Sequence, residues 1–206
     1  MTAALTPSGF AAAIAVSHET LERLQVYVDL LARWSPRINL VSAATLADPW
    51  RRHILDSAQL SIDMKAVTGP IADLGSGAGL PGMVLAILGH SNIALLESDQ
   101  RKCAFLRTAA RETGTSVRIC EGRIEAMPPI AAEVVTARAC APLAKLLELA
   151  DRHRRPDGWA IFLKGRAAAA EIDDARRCWS FDLDHRPSLA DPDGCILRLE
   201  KIARVQ

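Results

Sequence analysis

Hydrophobic residues in the first part of the chain recur every three or four positions, which is the spacing of an amphipathic helix. A first helix is predicted after Ser17, whose hydroxyl can cap it. Its apolar positions are Leu21, Leu24, Val28 and Leu31. Pro36 is expected to end this helix, because proline disfavours helical backbone in the residue before it. A second helix is predicted over residues 49–64, so residues 1–65 are interpreted as an N-terminal helical extension.

From Gly69 onward, short apolar runs alternate with helical patterns, which is typical of an α/β protein with a mostly parallel sheet. Strands are predicted at residues 70–74, 92–97, 116–120, 133–136, 159–163, 181–186 and 195–202. Helices are predicted at residues 81–88, 100–113, 143–153 and 167–177. No helix separates the last two strands, which allows a hairpin and an antiparallel strand at the end. Residues 66–206 are therefore interpreted as a Rossmann-like domain with a seven-stranded, doubly wound sheet.

Length and composition indicate the number of domains and the expected cellular location. The chain has 206 residues, 50% of them hydrophobic, which suits one domain with a short added subdomain. No apolar run reaches the roughly 20 residues of a membrane span, and the start does not read as a secretory signal, so a cytoplasmic protein without a membrane partner is expected. The five cysteines are scattered, which argues against disulfides and against a metal site. The net charge of +1 does not indicate a nucleic-acid binder, so an RNA surface requires local clusters of arginine and lysine.

The segment from Asp73 to Gly82, with the sequence DLGSGAGLPG, is the most informative part of the chain. Gly75, Gly77 and Gly79 stand at alternate positions just after a predicted strand, where backbone can approach a ligand closely. The same segment contains GxGxxG, the dinucleotide pattern, and it could also be no more than a tight turn. Two features speak against a pyrophosphate: Gly77 follows the strand too late, and the Asp73 carboxylate would repel it. S-adenosylmethionine carries an ammonium and a sulfonium and no phosphate, so we predict that Asp73, Gly77 and Gly79 bind this cofactor.

A second acidic residue, Glu97, closes the next predicted strand. A carboxylate at this place can accept hydrogen bonds from both ribose hydroxyls of a nucleoside, as in dinucleotide-binding folds. A solvated charge at the end of a strand would look the same. Together with Asp73 and the glycine loop, Glu97 favours a methyltransferase that uses S-adenosylmethionine.

Missing motifs narrow the class of methyl acceptor. Cytosine-C5 enzymes need a nucleophilic cysteine, commonly in a Pro-Cys pair, and the chain has no such pair. Enzymes that methylate amino groups of bases usually carry a Pro-Pro-aromatic loop after the fourth strand, where this chain has TARACAP at residues 136–142. Arg138 in that segment indicates an acceptor that is read through an electronegative edge. Guanine O6 and N7 form such an edge, and arginine is their commonest partner.

With these motifs in place, the chain resembles the 16S ribosomal RNA guanine-N7 methyltransferases, also called glucose-inhibited division protein B. The resemblance runs from about Leu24 to Gly165. It is carried by WSPRINLV at residues 34–41, RHILDS at 52–57, residues 73–82, QRKCAFLR at 100–107, GRIE at 122–125, ARA at 137–139 and LKG at 163–165. Their order and spacing together are highly specific, although each alone is not.

The resemblance implies the class I S-adenosylmethionine-dependent methyltransferase fold and methyl transfer to N7 of a specific guanine in 16S ribosomal RNA. The expected partner is that RNA or the small ribosomal subunit, and a monomer is expected. The alternatives are methylation of another RNA or of a small molecule, a nicotinamide-dependent oxidoreductase, and a catalytically silent RNA-binding module.

The resemblance also implies roles for five residues. Gly75 and Leu80 contact the cofactor, Ile124 and Glu125 line its adenine end, and Arg138 lies beside it. Other roles stay open for three of them: Leu80 could belong to the core, Glu125 could be a charge at a helix end, and Arg138 could form a structural salt bridge.

Basic residues near the expected site are predicted to contact RNA phosphates, although each could be an ordinary solvated charge. They are Arg52, Arg101, Lys102, Arg123, Lys164 and Arg166. His53 and Asp56 stand three residues apart and could face one another on a helix, either as a packed pair or as part of the chemistry. No catalytic residue is predicted, because guanine N7 already presents a lone pair and no proton has to be removed.

Overall fold

Seven strands form one sheet in the computed structural model, which describes residues 3–205. The strands are β1 (Ile71–Leu74), β2 (Ile93–Glu97), β3 (Arg118–Glu121), β4 (Ala132–Arg138), β5 (Arg154–Lys164), β6 (Trp179–Pro187) and β7 (Cys195–Arg204). Their order across the sheet is β3-β2-β1-β4-β5-β7-β6. Strands β1 to β5 pair in parallel, whereas β7 runs antiparallel to β5 and β6. The predicted doubly wound sheet with a hairpin at its end is confirmed.

The N-terminal part of the chain is helical, as predicted, but its first long helix ends later than expected. The helices are α1 (Pro7–Ala13), α2 (His18–Ile38) and α3 (Ala43–Leu46). The prediction that Pro36 ends α2 was wrong, because the helix continues to Ile38 and closes at Asn39 in a left-handed conformation with φ of 51°. Ile38 packs against the hydrophobic core, which favours the extra half turn over termination at the proline.

The segment predicted as one helix over residues 49–64 is helical, but it is not one regular α-helix. It consists of a π-helical turn (Trp50–Leu55), a short helix α4 (Asp56–Ala58) and a 3₁₀ turn (Gln59–Ile62). The apolar positions Ile54, Leu55, Ala58 and Leu60 fit a single α-helical period less well than those of α2, in agreement with such a change of helical pitch. π-helical turns are rare and are found most often at functional sites.

Four further helices connect the strands: α5 (Gly82–Ile87), α6 (Gln100–Glu112), α7 (Leu143–His153) and α8 (Ala168–Ala175). Asp99 caps α6 by accepting hydrogen bonds from the N–H groups of Arg101 and Lys102, at 2.8 Å and 3.3 Å. The chain order reverses between β1 and β4, and ligands in such sheets bind beyond the carboxyl ends of the strands at this switch point. The residues that matter for the site therefore follow β1, β2, β4 and β5.

Two layers of apolar side chains cover the sheet, one on each face. One layer joins side chains of α2 and the π-helical turn to those of α5, α6 and the sheet, including Leu24, Ile54, Val84 and Phe105. The other joins α7, α8 and the hairpin to the opposite face. Because the N-terminal helices share a core with the sheet, the proposed division at residue 65 separates segments that pack together, and it stays a prediction. Within residues 3–205, no helix has the length and apolar character needed to cross a membrane.

Candidate functional site

The glycine loop between β1 and α5 adopts backbone conformations that glycine favours. Gly75, Gly77 and Gly79 have φ angles of +60°, +56° and +88°, in or near the left-handed region. A Cβ atom on Gly79 would lie 2.8 Å from the Cβ atom of Met83, so this glycine allows α5 to pack closely. A Cβ atom on Gly77 would meet only the carbonyl oxygen of Gly75, at 3.7 Å, among the described residues. Gly77 therefore faces open space, where a ligand can lie against backbone.

Asp73, at the start of this loop, anchors it through side-chain hydrogen bonds. Its carboxylate is fully buried and accepts a hydrogen bond from the Thr136 hydroxyl at 2.8 Å and from the Gly82 N–H at 3.3 Å. These contacts join the end of β1 to β4 and to the start of α5. Burial raises the pKa of Asp73 to about 6, so the carboxylate is mostly ionised at pH 7. Asp73 fixes the conformation of the loop and places a negative charge beneath its backbone. Direct contact between Asp73 and a cofactor stays a prediction.

Glu97 lies beside the loop at the end of β2, with only 7% of its surface exposed. One carboxylate oxygen accepts from the Gly77 N–H at 2.8 Å. The other accepts from the N–H groups of Ser98 and Asp99, at 2.7 Å and 2.8 Å. The three hydrogen bonds fix the carboxylate beside the glycine loop, and its contact with ribose hydroxyls stays a prediction.

A contact from the N-terminal helices to the loop was not predicted from the sequence. Tyr27 of α2 is fully buried and its hydroxyl donates to the carbonyl oxygen of Ala78 at 2.6 Å. Burial raises the pKa of Tyr27, so the hydroxyl keeps its proton and remains a donor. Tyr27 lies on the apolar face of α2, and the sequence pattern there indicates only packing in the core. Leu80, at the end of the loop, is also in the core and only 4% exposed, which matches the alternative reading of that residue.

The turn Ile124–Ala126 follows β3, next to the end of β2. The Gly122 N–H donates to the carbonyl oxygen of Glu97 at 2.9 Å, which places this turn near the Glu97 carboxylate. From α7, the buried His153 binds the carbonyl oxygen of Ile124 through Nε2 at 3.0 Å. Burial lowers the pKa of His153, so the ring is neutral and Nε2 carries the proton that it donates. Glu125 is exposed, and its predicted contact with an adenine ring stays a prediction.

An open cleft of about 550 Å³ lies beyond the carboxyl ends of β4 and β5. Its lining includes four of the basic residues singled out in the sequence: Arg52, Arg138, Lys164 and Arg166. Cys140 follows Ala139, which lines the cleft, and it touches the glycine loop, since a Cβ atom on Gly75 would come 2.5 Å from its Sγ atom. The glycine loop and the cleft are therefore neighbours along one edge of the sheet.

Arg138 ends β4 and is held by three acceptors from the π-helical turn and α4. Its Nη1 donates to the carbonyl oxygen of Arg52 at 2.9 Å and to the Asp56 carboxylate at 3.1 Å. Its Nη2 lies 3.2 Å from Nδ1 of His53. His53 and Asp56, whose pairing was left open, thus both bind Arg138. Arg138 forms a salt bridge, and it also lines the cleft.

Most of the predicted phosphate-binding residues have carboxylate partners in the structure. Arg52 pairs with Asp191, Arg101 with Asp99, and Arg166 with Asp193, at 2.8 Å, 3.3 Å and 2.6 Å. The Lys164 side chain is only 8% exposed, and its amine lies 2.6 Å from Glu171 and 2.9 Å from the carbonyl oxygen of Ala141. Within residues 3–205, Lys102 and Arg123 form no salt bridge. RNA contact by the six residues stays a prediction. Lys164 is the least accessible of them to a phosphate, because its side chain is mostly buried.

No group of three or more histidine, cysteine or acidic side chains suited to a metal ion occurs among residues 3–205. The five cysteines are free thiols. Burial raises the pKa of Cys140, which keeps its thiol protonated near neutral pH.

Comparison with known proteins places the chain among rRNA methyltransferases. A family model described as "GidB: rRNA small subunit methyltransferase G" matches residues 20–190. A protein of Paramagnetospirillum magneticum named ribosomal RNA small subunit methyltransferase G is 49% identical over 200 residues, which cover 97% of this chain and 95% of that protein. The protein of the same name from Rhodospirillum rubrum is 48% identical over 200 residues, with 97% of this chain and 100% of that protein covered.

The fold is shared more widely. The crystal structure of a SAM dependent methyltransferase from Aquifex aeolicus superposes with a TM-score of 0.58 at 11% identity, covering 76% of this chain and 95% of that one. This likeness confirms the predicted class I methyltransferase fold, and the sequence matches go further. The chain belongs to the rRNA small subunit methyltransferase G family.

Proposed function

We propose that this chain transfers the methyl group of S-adenosylmethionine to N7 of one guanine in 16S ribosomal RNA. Family membership supports methylation of small-subunit rRNA. The observation that carries the choice of atom is Arg138, which lines the cleft at the end of β4, the strand that pairs with β1 where the acidic glycine loop begins. Arginine is the commonest protein partner of the guanine O6/N7 edge.

The residues around the glycine loop fit S-adenosylmethionine better than a phosphate-containing cofactor. Two carboxylates, Asp73 and Glu97, lie at the loop, and both disfavour a bound phosphate and favour a cationic ligand. Backbone near Gly75 and Gly77 would carry the amino acid part, Glu97 would accept the ribose hydroxyls, and the turn Ile124–Ala126 would border the adenine. When bound, the cofactor supplies an electrophilic methyl group on a sulfonium.

The chain needs no general base for the proposed reaction. The N7–C bond forms while the C–S bond breaks, and the positive charge passes to the purine ring without loss of a proton. The residues of the chain therefore contribute by position: the loop holds the donor, and the cleft takes a guanine lifted from its neighbours, with the reacting atoms within about 3–3.5 Å. Such positioning can lower the barrier by about 7–11 kcal/mol. Neither His53 nor Asp56 is required as a proton acceptor.

RNA binding is proposed to use the basic residues along the same edge. Lys102 and Arg123 are available to phosphates without losing a carboxylate partner. Arg52, Arg101 and Arg166 would exchange an aspartate for a phosphate, which costs part of the affinity gained. The protein is proposed to act as a monomer in the cytoplasm, on naked 16S RNA or on the small subunit.

Methyl transfer can be tested with purified components. The protein is incubated with S-adenosylmethionine labelled in its methyl group and with 16S RNA, and the RNA is digested to nucleosides. The proposal expects the label in 7-methylguanosine alone, at no more than one per RNA molecule. Label in another nucleoside, or transfer only to a small molecule, would contradict it. If naked RNA is inert, the same assay on small subunits decides between the two substrates.

A further inference from the structure

Arg138 has more hydrogen-bond donors than the protein uses. A guanidinium carries five N–H donors and no acceptor. Two of them, on Nη1, are taken by the Arg52 carbonyl oxygen and Asp56, and one on Nη2 is taken by His53. The second N–H of Nη2 and the N–H of Nε make no hydrogen bond within residues 3–205. Because Arg138 lines the cleft, a ligand there can supply the acceptor.

The contact with His53 determines the state of its ring. Arg138 can only donate, so Nδ1 must be the acceptor and the ring must be neutral with its proton on Nε2. Burial and the charges of Arg138 and Arg52 lower the pKa of His53 to about 3, in agreement with this state. His53 is 2% exposed, and its Nε2 has no partner in the described part of the chain. A buried N–H without a partner costs free energy, and an apolar side chain would fill this place without that cost. The role of the His53 ring is therefore to provide Nδ1 as an acceptor for Arg138.

Asp56 is fixed in turn by residues on its far side. Its Oδ1 accepts from the side-chain amide of Gln59 at 3.1 Å and from the Ser188 hydroxyl at 3.3 Å. Gln59 also binds Ser188 at 3.0 Å and the Leu189 N–H at 2.8 Å. The loop of the β6–β7 hairpin therefore braces Asp56, and Asp56 braces Arg138. Rotation of the guanidinium would break three hydrogen bonds at once.

We propose that His53 and Asp56 are positioning residues that turn the two remaining donors of Arg138 toward O6 of the target guanine. O6 accepts hydrogen bonds, whereas the amino group of adenine at the same place donates and would face the guanidinium unfavourably. Arg138 binds O6 and leaves N7 free for the methyl group. The inference rests on the proposed function and assigns how its cleft selects guanine.

The test compares guanine with 2,6-diaminopurine at the methylated position of the RNA. This analogue keeps N7 and the 2-amino group but replaces O6 with an amino group. Single-turnover rates are measured for the wild type, His53→Leu, His53→Asn and Asp56→Asn, and each protein gives a ratio of the guanine rate to the analogue rate. Intrinsic reactivity of the two bases cancels when these ratios are compared between proteins.

The wild type is expected to prefer guanine by at least 100-fold. His53→Leu and Asp56→Asn should lower this ratio by at least tenfold, because the guanidinium loses its orientation. His53→Asn should retain most of it, since the amide oxygen can take the place of Nδ1. A purely structural role would lower both rates together, so unchanged ratios in the variants, or equal effects of leucine and asparagine, would overturn the inference.

The free donors of Arg138 could instead meet the carboxylate of the cofactor. Calorimetry with S-adenosylmethionine distinguishes this acceptor from guanine O6. Affinity within twofold of the wild type in His53→Leu and Asp56→Asn supports the base, and a tenfold loss would assign the donors to the cofactor and overturn the inference. If the wild type forms no 7-methylguanosine, the proposed function fails, and the inference fails with it. If it does and the ratios do not change, only the inference fails.

Discussion

Gly77 offers the sharpest single perturbation of the glycine loop. Its φ is +56°, and a Cβ atom there would meet only the Gly75 carbonyl oxygen, at 3.7 Å, in the described part of the chain. The protein itself therefore accommodates Gly77→Ala, with a cost limited to the left-handed backbone, about 1–2 kcal/mol. The added methyl group occupies the space in which the cofactor is proposed to lie.

The expected loss of cofactor affinity is large because backbone contact leaves no room. A ligand atom in van der Waals contact with the loop would lie well inside the radius of the new methyl group. The cofactor must withdraw from the loop or leave the site, and we expect at least a 100-fold weaker Kd, which corresponds to about 2.8 kcal/mol.

Gly114 supplies a matched control. It has φ of +59° and open space within 4 Å, but it lies after α6 rather than in the loop. Gly114→Ala should cost similar stability in a urea titration and leave cofactor binding unchanged in calorimetry. Equal affinities of Gly77→Ala and Gly114→Ala for S-adenosylmethionine would show that the cofactor does not lie against Gly77.

Four other outcomes are expected. Glu97→Ala should weaken cofactor binding by about 1.5–3 kcal/mol, and a change below about twofold in calorimetry would remove Glu97 from the site. The folded-state pKa of His53 is about 3, so between about pH 6 and 4 the unfolded chain binds a proton that the folded one refuses. As the pH falls through this range, the free energy of unfolding of the wild type should decrease relative to that of His53→Leu by about 1.4 kcal/mol per pH unit. If urea titrations show the same pH dependence of this free energy in both proteins, the ring of His53 is not held neutral in the folded state. Replacing Lys102 and Arg123 by alanine should reduce the slope of log affinity for RNA against log salt by about 1.4–1.8. Arg118→Ala, at the amino end of β3 and so away from the carboxyl ends of the strands, should leave the slope unchanged. A slope for the double variant equal to that of the wild type would show that Lys102 and Arg123 are ordinary solvated charges. Single-turnover rates should vary less than about threefold from pH 6.5 to 8.5, and a log-linear rise with unit slope would reveal a catalytic base.

The sheet and the glycine loop were predictable because they depend on local signals. Short apolar runs between helical patterns define the strands, and alternating glycines after an apolar run mark a loop that approaches a ligand. Strand β5 begins earlier than predicted, at Arg154, because Arg154 pairs with Ala132 of β4 across an irregularity in the register. Such pairing depends on the neighbouring strand, and the polar residues at the start of β5 do not reveal it.

The parts of the site that depend on distant contacts were not predictable. The Tyr27 hydroxyl reaches a carbonyl 51 residues later, and Arg138 meets acceptors more than 80 residues earlier. Hydrophobic periodicity places Tyr27 in a core but says nothing of its hydroxyl. The π-helical turn and the start of α4 bring Arg52, His53 and Asp56 around one guanidinium. The three-residue spacing of His53 and Asp56 fits a packed pair as well as a chemical role, and it does not reveal that both bind Arg138.

Methylation of one guanine in 16S RNA by this protein is tested most directly by a nucleotide-resolution map of 7-methylguanosine in 16S RNA from cells with and without the protein. We expect one guanine to lose its N7 methyl group in the absence of the protein and to regain it when the wild-type chain, but not Gly77→Ala, is returned. An unchanged map in cells that lack the protein would contradict N7 methylation of 16S RNA by this chain.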